Sequence, residues 1–483
     1  MTIAPDRRDA VAAETAHQTE TQEPERDPGC GKTYSLWTIG CQMNESESAQ
    51  VGAALELAGY RPAPAEEQAD LIVLNSCVVR NSAEQKVVGK LGSLQRLKRA
   101  NPELKIALTG CMVTGQEAQL GKRFPHVDLF FRPSAVEQLV QIVPELADVE
   151  DDLTELPHYY GAEDQQGDVT AFMPIIFGCN YVCSYCIIPY RRGRERSRPL
   201  ASIVGESWML AKRGVREVTL LGQTVNAYGH DLPGTPDLAD ALAAVDAVEG
   251  IERIRFLTSH PQKMTGKLIR AVAELPHVCE HINLPVQAGH DETLRRMRRN
   301  YTVDDYRRVI DEIRATIPGV TIATDIIVGF SGETEQHFQG TLDLLAELEF
   351  DVVHVAMYSP RPRTIASRWE DDVPPEEKHR RHQAVERLQE GIAAKKKAAL
   401  LGGTHEVLVD GQAKGRWRGR TRGNQLVFFD APGEPRDWLG KLVDIEITET
   451  HPWYVVGTPS GVEGRRLKVE GSESWPDPAG LRP

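Results

Sequence analysis

Apolar strand-like runs alternate with helical stretches through most of this chain, and four of those runs end at a cysteine. Cys41 follows YSLWTIG, Cys77 follows DLIVLNS, Cys111 follows LKIALTG, and Cys179 follows MPIIFG. Helical patterns come after the first three, over 45–59, 82–100 and 115–123. Alternation of this kind predicts a parallel sheet covered on both faces, and such sheets collect ligands outside the carboxyl ends of their strands. Three thiols are therefore expected to converge at one sheet edge. Their long separations exclude a local zinc loop and suit a cluster assembled from strand ends; three packed core cysteines are the alternative, since free Cys is a common interior residue.

In FGCNYVCSYC, Cys179, Cys183 and Cys186 bring three thiolates into one short loop. A cysteine-ligated 4Fe-4S cube normally takes four thiolates, and residues 187–229 supply neither Cys nor His. Three thiolates would leave one iron open for chemistry. A zinc knuckle is the competing reading, but structural zinc wants four ligands at short spacing, and the nearest His is His158, upstream.

With 483 residues the chain exceeds one core. Residues 1–32 are poor in large apolar side chains and read as a disordered tail, 33–149 as an N-terminal parallel α/β domain, and 150–168 as an acidic linker. Residues 169–400 form the core, 401–470 a small β-barrel, and 471–483 a loose end. No apolar run approaches the roughly 20 residues that cross a bilayer, and the opening lacks the apolar centre of a secretory signal. The reading is a cytoplasmic monomer. Eight cysteines in a reducing compartment argue for metal or redox work and not disulfides. Cys30 reads as a tail thiol and Cys279 as packing.

Between Met173 and about Leu400, MPIIF, EVTLLG, RIRFL, HINLPV, TIATDIIVG and VVHVAMY are strand candidates with helical stretches between them. Six such units predict a partial (β/α)6 barrel of the TIM type, with its chemistry at the C-terminal strand ends. Gly222, Gln223 and Asn226 follow the second strand, His260 the third, Gln287 the fourth, and Gly329 and Glu333 the fifth. Each could bind a ligand or make a loop hydrogen bond. Arg191, Arg192, Arg194, Arg196 and Arg198 crowd the segment after the cysteine loop, suited to phosphate or carboxylate but equally to structural ion pairs. Arg295, Arg296, Arg298 and Arg299 read as a solvated helix face.

After the helix bearing Lys395, Lys396 and Lys397, short strand patterns THEVLVDG, NQLVFFD, LVDIEIT and WYVVG predict the small barrel. Between the first two lies KGRWRGRTRGN, where Arg416, Trp417, Arg418 and Arg420 suggest cations for phosphate and an aromatic for an unpaired base. A solvated hairpin is the alternative. The net charge of −14 opposes long-range attraction to nucleic acid, but screening within about 8 to 10 Å leaves a local patch to decide contact.

C-x3-C-x2-C with Tyr185 before the last Cys resembles the radical S-adenosylmethionine signature. Together with the three scattered cysteines it resembles the radical methylthiotransferases, and GCQMNESES around Cys41 is most similar to the tRNA methylthiotransferase (MiaB-type) branch. NSCVVRNSAEQK, PYRRGRERSRP, LLGQTVNAYG, LTSHP, LPVQAGHDETL, TDIIVGFSGETE and MYSPRP extend the resemblance from about Tyr34 to Pro362. KGRWRGRTRGN and its flanking strands resemble the TRAM domain, a small RNA-binding barrel. Ala288 and His290 depart from the pattern, which has small hydroxyl residues there, and Arg363 departs where Gly is usual. The resemblance implies two 4Fe-4S clusters, one on Cys179, Cys183 and Cys186 and one on Cys41, Cys77 and Cys111. It implies an S-adenosylmethionine pocket with Gly222, Gln223, Asn226, Gln287 and Glu333. It implies methylthiolation of carbon 2 of N6-dimethylallyladenosine at position 37 in the tRNA anticodon loop, with an electron donor and two molecules of S-adenosylmethionine per turnover. One molecule donates a methyl group to sulfur at the N-terminal cluster; the other yields a 5′-deoxyadenosyl radical. Sister branches act on threonylcarbamoyl-adenosine in tRNA or on a ribosomal-protein aspartate. A zinc-containing, non-catalytic RNA-binding protein is the reading from a different class.

Overall fold

The computed structural model describes residues 31–78, 81–133, 135–149, 169–430 and 438–460, so Cys30 and the expected linker and end segments lie outside the described residues. The first unit runs β1 (Thr33–Thr38), α1 (Gln42–Leu57), β2 (Arg61–Pro62), β3 (Leu71–Ser76), α2 (Asn81–Ala100), β4 (Lys105–Gly110), α3 (Glu117–Arg123) and β5 (Leu129–Phe130). Its five strands pair in parallel in the order β2-β1-β3-β4-β5. The run LIVLNS is buried throughout β3 because both faces are covered. Leu71 and Val73 pack with Val51 and Leu55 of α1, whereas Ile72 and Leu74 pack with Val87, Leu91 and Leu94, the apolar stripe of α2.

The core contains β6 (Thr170–Pro174), β7 (Ile176–Phe177), α4 (Ile188–Arg192), β8 (Arg196–Ser197), α5 (Leu200–Lys212), β9 (Glu217–Leu221), α6 (Leu238–Asp246), β10 (Arg253–Phe256), α7 (Gly266–Glu274) and β11 (His281–Asn283). It continues with α8 (Asp291–Arg296), α9 (Val303–Thr316), β12 (Thr321–Val328), α10 (Glu335–Leu348), β13 (Val352–Met357) and α11 (Pro375–Ala398). Two parallel three-stranded sheets, β6-β9-β10 and β11-β12-β13, are joined by a parallel bridge between Ile254 and Val278. The result is the expected open arc of six strand-helix units. One strand differs from the reading: MPIIF is split, with Thr170–Pro174 in the arc and Ile176–Phe177 turned away to pair antiparallel with β8. The chain leaves the sheet at Pro174 and Ile175, so the cysteine loop hangs from a small hairpin beside the barrel mouth.

The last unit is a closed barrel of β14 (Thr404–Ala413), β15 (Arg416–Thr421), β16 (Leu426–Phe429), β17 (Leu442–Thr450) and β18 (Val455–Pro459), ordered β14-β15-β16-β18-β17. The basic segment, read as lying between the first two strand patterns, is itself strand β15. This barrel seats on the amino-terminal ends of the core strands, opposite the cysteine loop. Arg253, fully buried, donates to the carbonyls of Arg420 (2.5 Å) and Glu406 (3.0 Å). Arg255 donates to those of Arg422 (2.6 Å) and Thr421 (2.8 Å). Arg422 answers with Glu280 at 2.8 Å, and Thr321 donates to the Gly423 carbonyl at 2.9 Å.

Candidate active site

Neighbouring parallel strands deliver the first cysteine triad. Ser76 of β3 is the register partner of Gly110 of β4, so Cys77 and Cys111 leave the sheet side by side, and the Cys111 amide donates to the Ser76 carbonyl at 2.8 Å. Gly110 has φ +95°, and a Cβ there would lie 2.2 Å from the Ser76 oxygen, so only glycine admits this approach. Cys41 stands at the N-terminus of α1, tied to the β3 end through Asn44, whose Nδ2 donates to Asn75 Oδ1 at 2.7 Å. Cys41 is exposed; Cys77 and Cys111 are buried. Burial pushes the Cys111 thiol up to about 11, the Arg192 guanidinium opposes this, and Glu47, Cys77 and Cys41 add to the rise. Arg192 Nε stands 3.3 Å from Cys111 Sγ while the rest of its fork grips Glu47 at 2.5 and 3.2 Å. Although burial acts against its charge, Glu47 and Cys111 hold Arg192 firmly protonated.

The second triad is a pinned loop. Gly178 has φ +76°, and a Cβ there would meet the Arg194 carbonyl at 2.2 Å. Cys179 N donates to the Gly193 carbonyl at 3.1 Å and Cys186 N to the Cys183 carbonyl at 3.1 Å. Ser184 Oγ donates to the Arg296 carbonyl at 2.7 Å. Burial, then the neighbouring Cys183, pushes Cys186 up to about 12; burial raises Cys179 as well. Arg299, read above as surface, is 8% exposed and directs Nη1 at Cys183 Sγ (3.6 Å), Nε at Tyr301 Oη (2.9 Å) and Nη2 at the Pro285 carbonyl (3.1 Å). Tyr181 stacks on His260 at 3.9 Å, and burial followed by the charge of Arg299 holds that imidazole neutral, down to about 3. His260 Nε2 is buried with no partner in the protein, an orphan polar atom beside the triad. Each triad thus offers clustered sulfur donors with a guanidinium on one sulfur, a set suited to an electron-rich iron-sulfur cube. Among the described residues no three His, Cys, Asp or Glu side chains are drawn together tightly enough for a single metal ion; a cube, with several irons to share, tolerates a wider spread.

Helix α4 joins the triads. Ile187, next to Cys186, is buried in the same apolar cluster as Cys111, Met112 and Val113. Arg192, at the other end of α4, reaches Cys111. Only six positions separate Cys186 from Arg192, and the last five of them, Ile188–Arg192, are the helix itself.

Three family descriptions match consecutive parts of the chain: uncharacterized protein family UPF0004 over 33–132, the Radical SAM superfamily over 173–345, and the TRAM domain over 399–459. A tRNA-2-methylthio-N(6)-dimethylallyladenosine synthase of Chloroflexus aurantiacus is 51% identical over 433 residues, covering 89% of this chain and 91% of the relative. The corresponding synthase of Roseiflexus sp. is 49% identical over 447 residues, 91% and 92% of the two chains. The chain belongs to the tRNA-2-methylthio-N(6)-dimethylallyladenosine synthase family. Among solved structures, the radical S-adenosylmethionine methyltransferase TsrM of Kitasatospora setae, with tryptophan and an S-adenosylmethionine analogue bound, aligns with TM-score 0.50 at 13% identity over 68% of this chain and 73% of that one, a likeness of fold.

Within this synthase family fold, several residues expected to bind the cofactor are occupied structurally. Gly222 packs where a Cβ would meet Ile176 at 2.4 Å. Gln223 Oε1 accepts from the Gly178 amide at 2.7 Å, bracing the cysteine loop. Asn226 exchanges two hydrogen bonds with the His260 backbone, at 2.8 and 3.0 Å. Gln287 sits at φ +75° in a parallel bridge to Ile326. The buried carboxylate of Glu333 accepts from Gly329 N at 2.5 Å and Arg381 at 2.8 Å. Gln223, Asn226 and His260 gather near the triad.

The arginines after the loop are also largely committed. Arg198 pairs with buried Glu206 at 2.6 Å, and Arg192 with Glu47. On the small barrel, Trp417 is 4% exposed and faces inward against Phe429 and Trp438. It is a core residue, and the expectation that it stacks on a base is corrected. Arg416, Arg418 and Arg420 face outward on the same strand. Acids from neighbouring strands meet them, Asp430 on Arg416 at 2.8 Å and Asp410 on Arg418 at 2.9 Å. Cys279 is buried, in agreement with packing.

Proposed function

We propose that this chain methylthiolates carbon 2 of N6-dimethylallyladenosine at position 37 of tRNA. The observation that carries the reading is the short α4 span that holds two cysteine triads against one seam, supported by near full-length relatives named for this activity. When bound, two 4Fe-4S clusters and S-adenosylmethionine would supply radical hydrogen abstraction at one triad and sulfur for transfer at the other. Cys179, Cys183 and Cys186 would hold the first cluster, with Arg299 fixed on Cys183. Cys41, Cys77 and Cys111 would hold the second, with Arg192 on Cys111. Gln223 and Asn226 position the cysteine loop and His260, and the neutral His260, stacked on Tyr181, presents its unpartnered Nε2 beside the triad.

Residues 33–149, 169–400 and 401–470 act as sulfur-insertion, radical and RNA-contacting domains. The exposed Arg416–Asp430 pair is worth about 0 to 1 kcal/mol, so phosphate can displace its carboxylate, whereas Asp410 on Arg418 is largely buried. The substrate is an RNA. A low-potential one-electron donor, a monomeric state and a cytoplasmic location complete the proposal; no described helix is long and apolar enough to cross a membrane.

The test is iron and sulfide content after anaerobic reconstitution, together with nucleoside analysis. Native chain should hold about eight irons and a variant with Cys179, Cys183 and Cys186 all changed to Ala about four. Changing Cys41, Cys77 and Cys111 should abolish methylthiolation yet leave reductive cleavage of S-adenosylmethionine measurable. Zinc in place of iron, or product formation by the second variant, refutes the scheme.

A further inference from the structure

Arg363, in the loop after β13, has φ +77°, a left-handed conformation that L side chains rarely adopt. Strain at a non-glycine residue asks for a reason. Its guanidinium crosses the seam to the first unit, where Nη1 would stand 3.5 Å from a Cβ built on Gly115. Among the described residues no carboxylate is paired with it. Beside it lies Arg191 of α4, 6% exposed, whose Nη1 donates to the Thr114 carbonyl at 2.5 Å. Two donors in this corner are buried and unsatisfied within the protein: Arg191 Nε and Thr114 Oγ1. Neighbouring Glu84 and Glu117 are drawn elsewhere, Glu84 to Arg361 at 3.2 Å and Glu117 to Arg132 at 3.8 Å. Two guanidiniums side by side with unsatisfied donors and no acid of their own form a receptor for an oxyanion, which arginine forks bind through paired hydrogen bonds.

We propose that Arg363, Arg191 and Thr114 hold a phosphodiester of the substrate RNA at the seam between the first unit and the core. The assignment rests on the RNA-modifying function proposed above. It deepens that reading by giving the RNA backbone a fixed point at the Thr114–Gly115 turn just past Cys111, facing Arg191 of the helix that follows Cys186. Burial, and then the positive charge of Arg363, disfavour the charged form of Arg191, against smaller opposing effects of Cys111, Glu84 and Glu117; an anion between the two guanidiniums removes part of that cost. Phosphate contacts of this kind set register without reading sequence.

Arg363→Gly separates the roles, because glycine suits φ +77° and loses only the cation. Binding of a short anticodon stem-loop RNA to the full chain, followed by fluorescence anisotropy across a salt series, is the measurement. Expected for Arg363→Gly are a Tm unchanged or higher, RNA affinity weaker by about tenfold, and a log K against log salt slope shallower by about 0.7, one phosphate's worth on a single strand. Thr114→Val should weaken binding at unchanged fold, and Arg363→Lys should restore part of it. Native affinity and slope in Arg363→Gly overturn the proposal while leaving the proposed function standing. Failure of the native chain to bind the stem-loop removes both. A thermal upshift by inorganic phosphate that Arg363→Gly abolishes, with RNA binding intact, identifies a small-anion site and overturns the RNA assignment.

Discussion

At the scale of single residues, the decisive feature is a buried guanidinium on one sulfur of each triad. The two differ in neutralisation: Arg192 is met by Glu47, whereas the partners of Arg299 are a phenol, a carbonyl and the Cys183 sulfur. A fixed cation next to a thiolate ligand stabilises added negative charge, so it favours the reduced form of a cluster held there. Arg299→Gln is expected to lower the midpoint potential of the site, giving about tenfold less reduced form at a fixed donor potential, or about 60 mV for one electron. Arg299→Lys should keep most of the native value. A dye-mediated redox titration of the reconstituted protein checks this, and an unchanged midpoint in Arg299→Gln would show that the guanidinium is only a packing element. Arg299 was hidden in the sequence because RRMRRN reads as a solvated helix face; α8 ends at Arg296, and the turn beyond it carries Arg299 back into the barrel.

At the scale of elements, strand β15 shows how parity decides chemistry. Arg416, Arg418 and Arg420 alternate with Trp417, Gly419 and Thr421, a period of two that puts every cation outside and the indole inside. Trp417→Ala is therefore expected to cost about 3 to 5 kcal/mol of barrel stability, read as an earlier transition in urea. A loss of RNA affinity with full stability would instead mean that the indole is surface-borne. That alternation was the available signal for a strand, and the density of charge concealed it. The strand-end cysteines, the six-unit arc and the closed barrel were legible because each leaves a local trace in apolar runs and turn residues. The acids that face Arg416 and Arg418, and the split of MPIIF at Pro174, were not, since they depend on which strands become neighbours.

At the scale of the whole molecule, the small barrel and the core share buried polar groups, and acid should loosen that junction. His281 at the start of β11 is buried next to Arg255 and Arg420; burial and those charges hold it down to about 3. Unfolded, the same imidazole titrates near about 6.5, so between about pH 3 and 6.5 the unfolded chain carries the extra proton. Stability from this group is complete above about pH 6.5 and falls by about 1.4 kcal/mol per pH unit below it. Glu333 and Asp410, raised by burial, act in the opposite sense. The clean reading is therefore a difference: urea midpoints of native chain and His281→Gln at about pH 7.5 and 5.5 should converge as pH falls. Parallel profiles would remove His281 from the account.

The same junction bears on how the protein is made. Arg253 and the Arg420 carbonyl that receives it are 167 positions apart, as are Arg255 and the Arg422 carbonyl. At about 5 to 20 residues per second on the ribosome, the floor of the core waits roughly ten to thirty seconds with two cationic side chains lacking their acceptors. The first unit waits only for the segment around α4, which supplies Ile187 and the Arg192 partner of Glu47; the core reaches its final form only once nearly the whole chain has been synthesised.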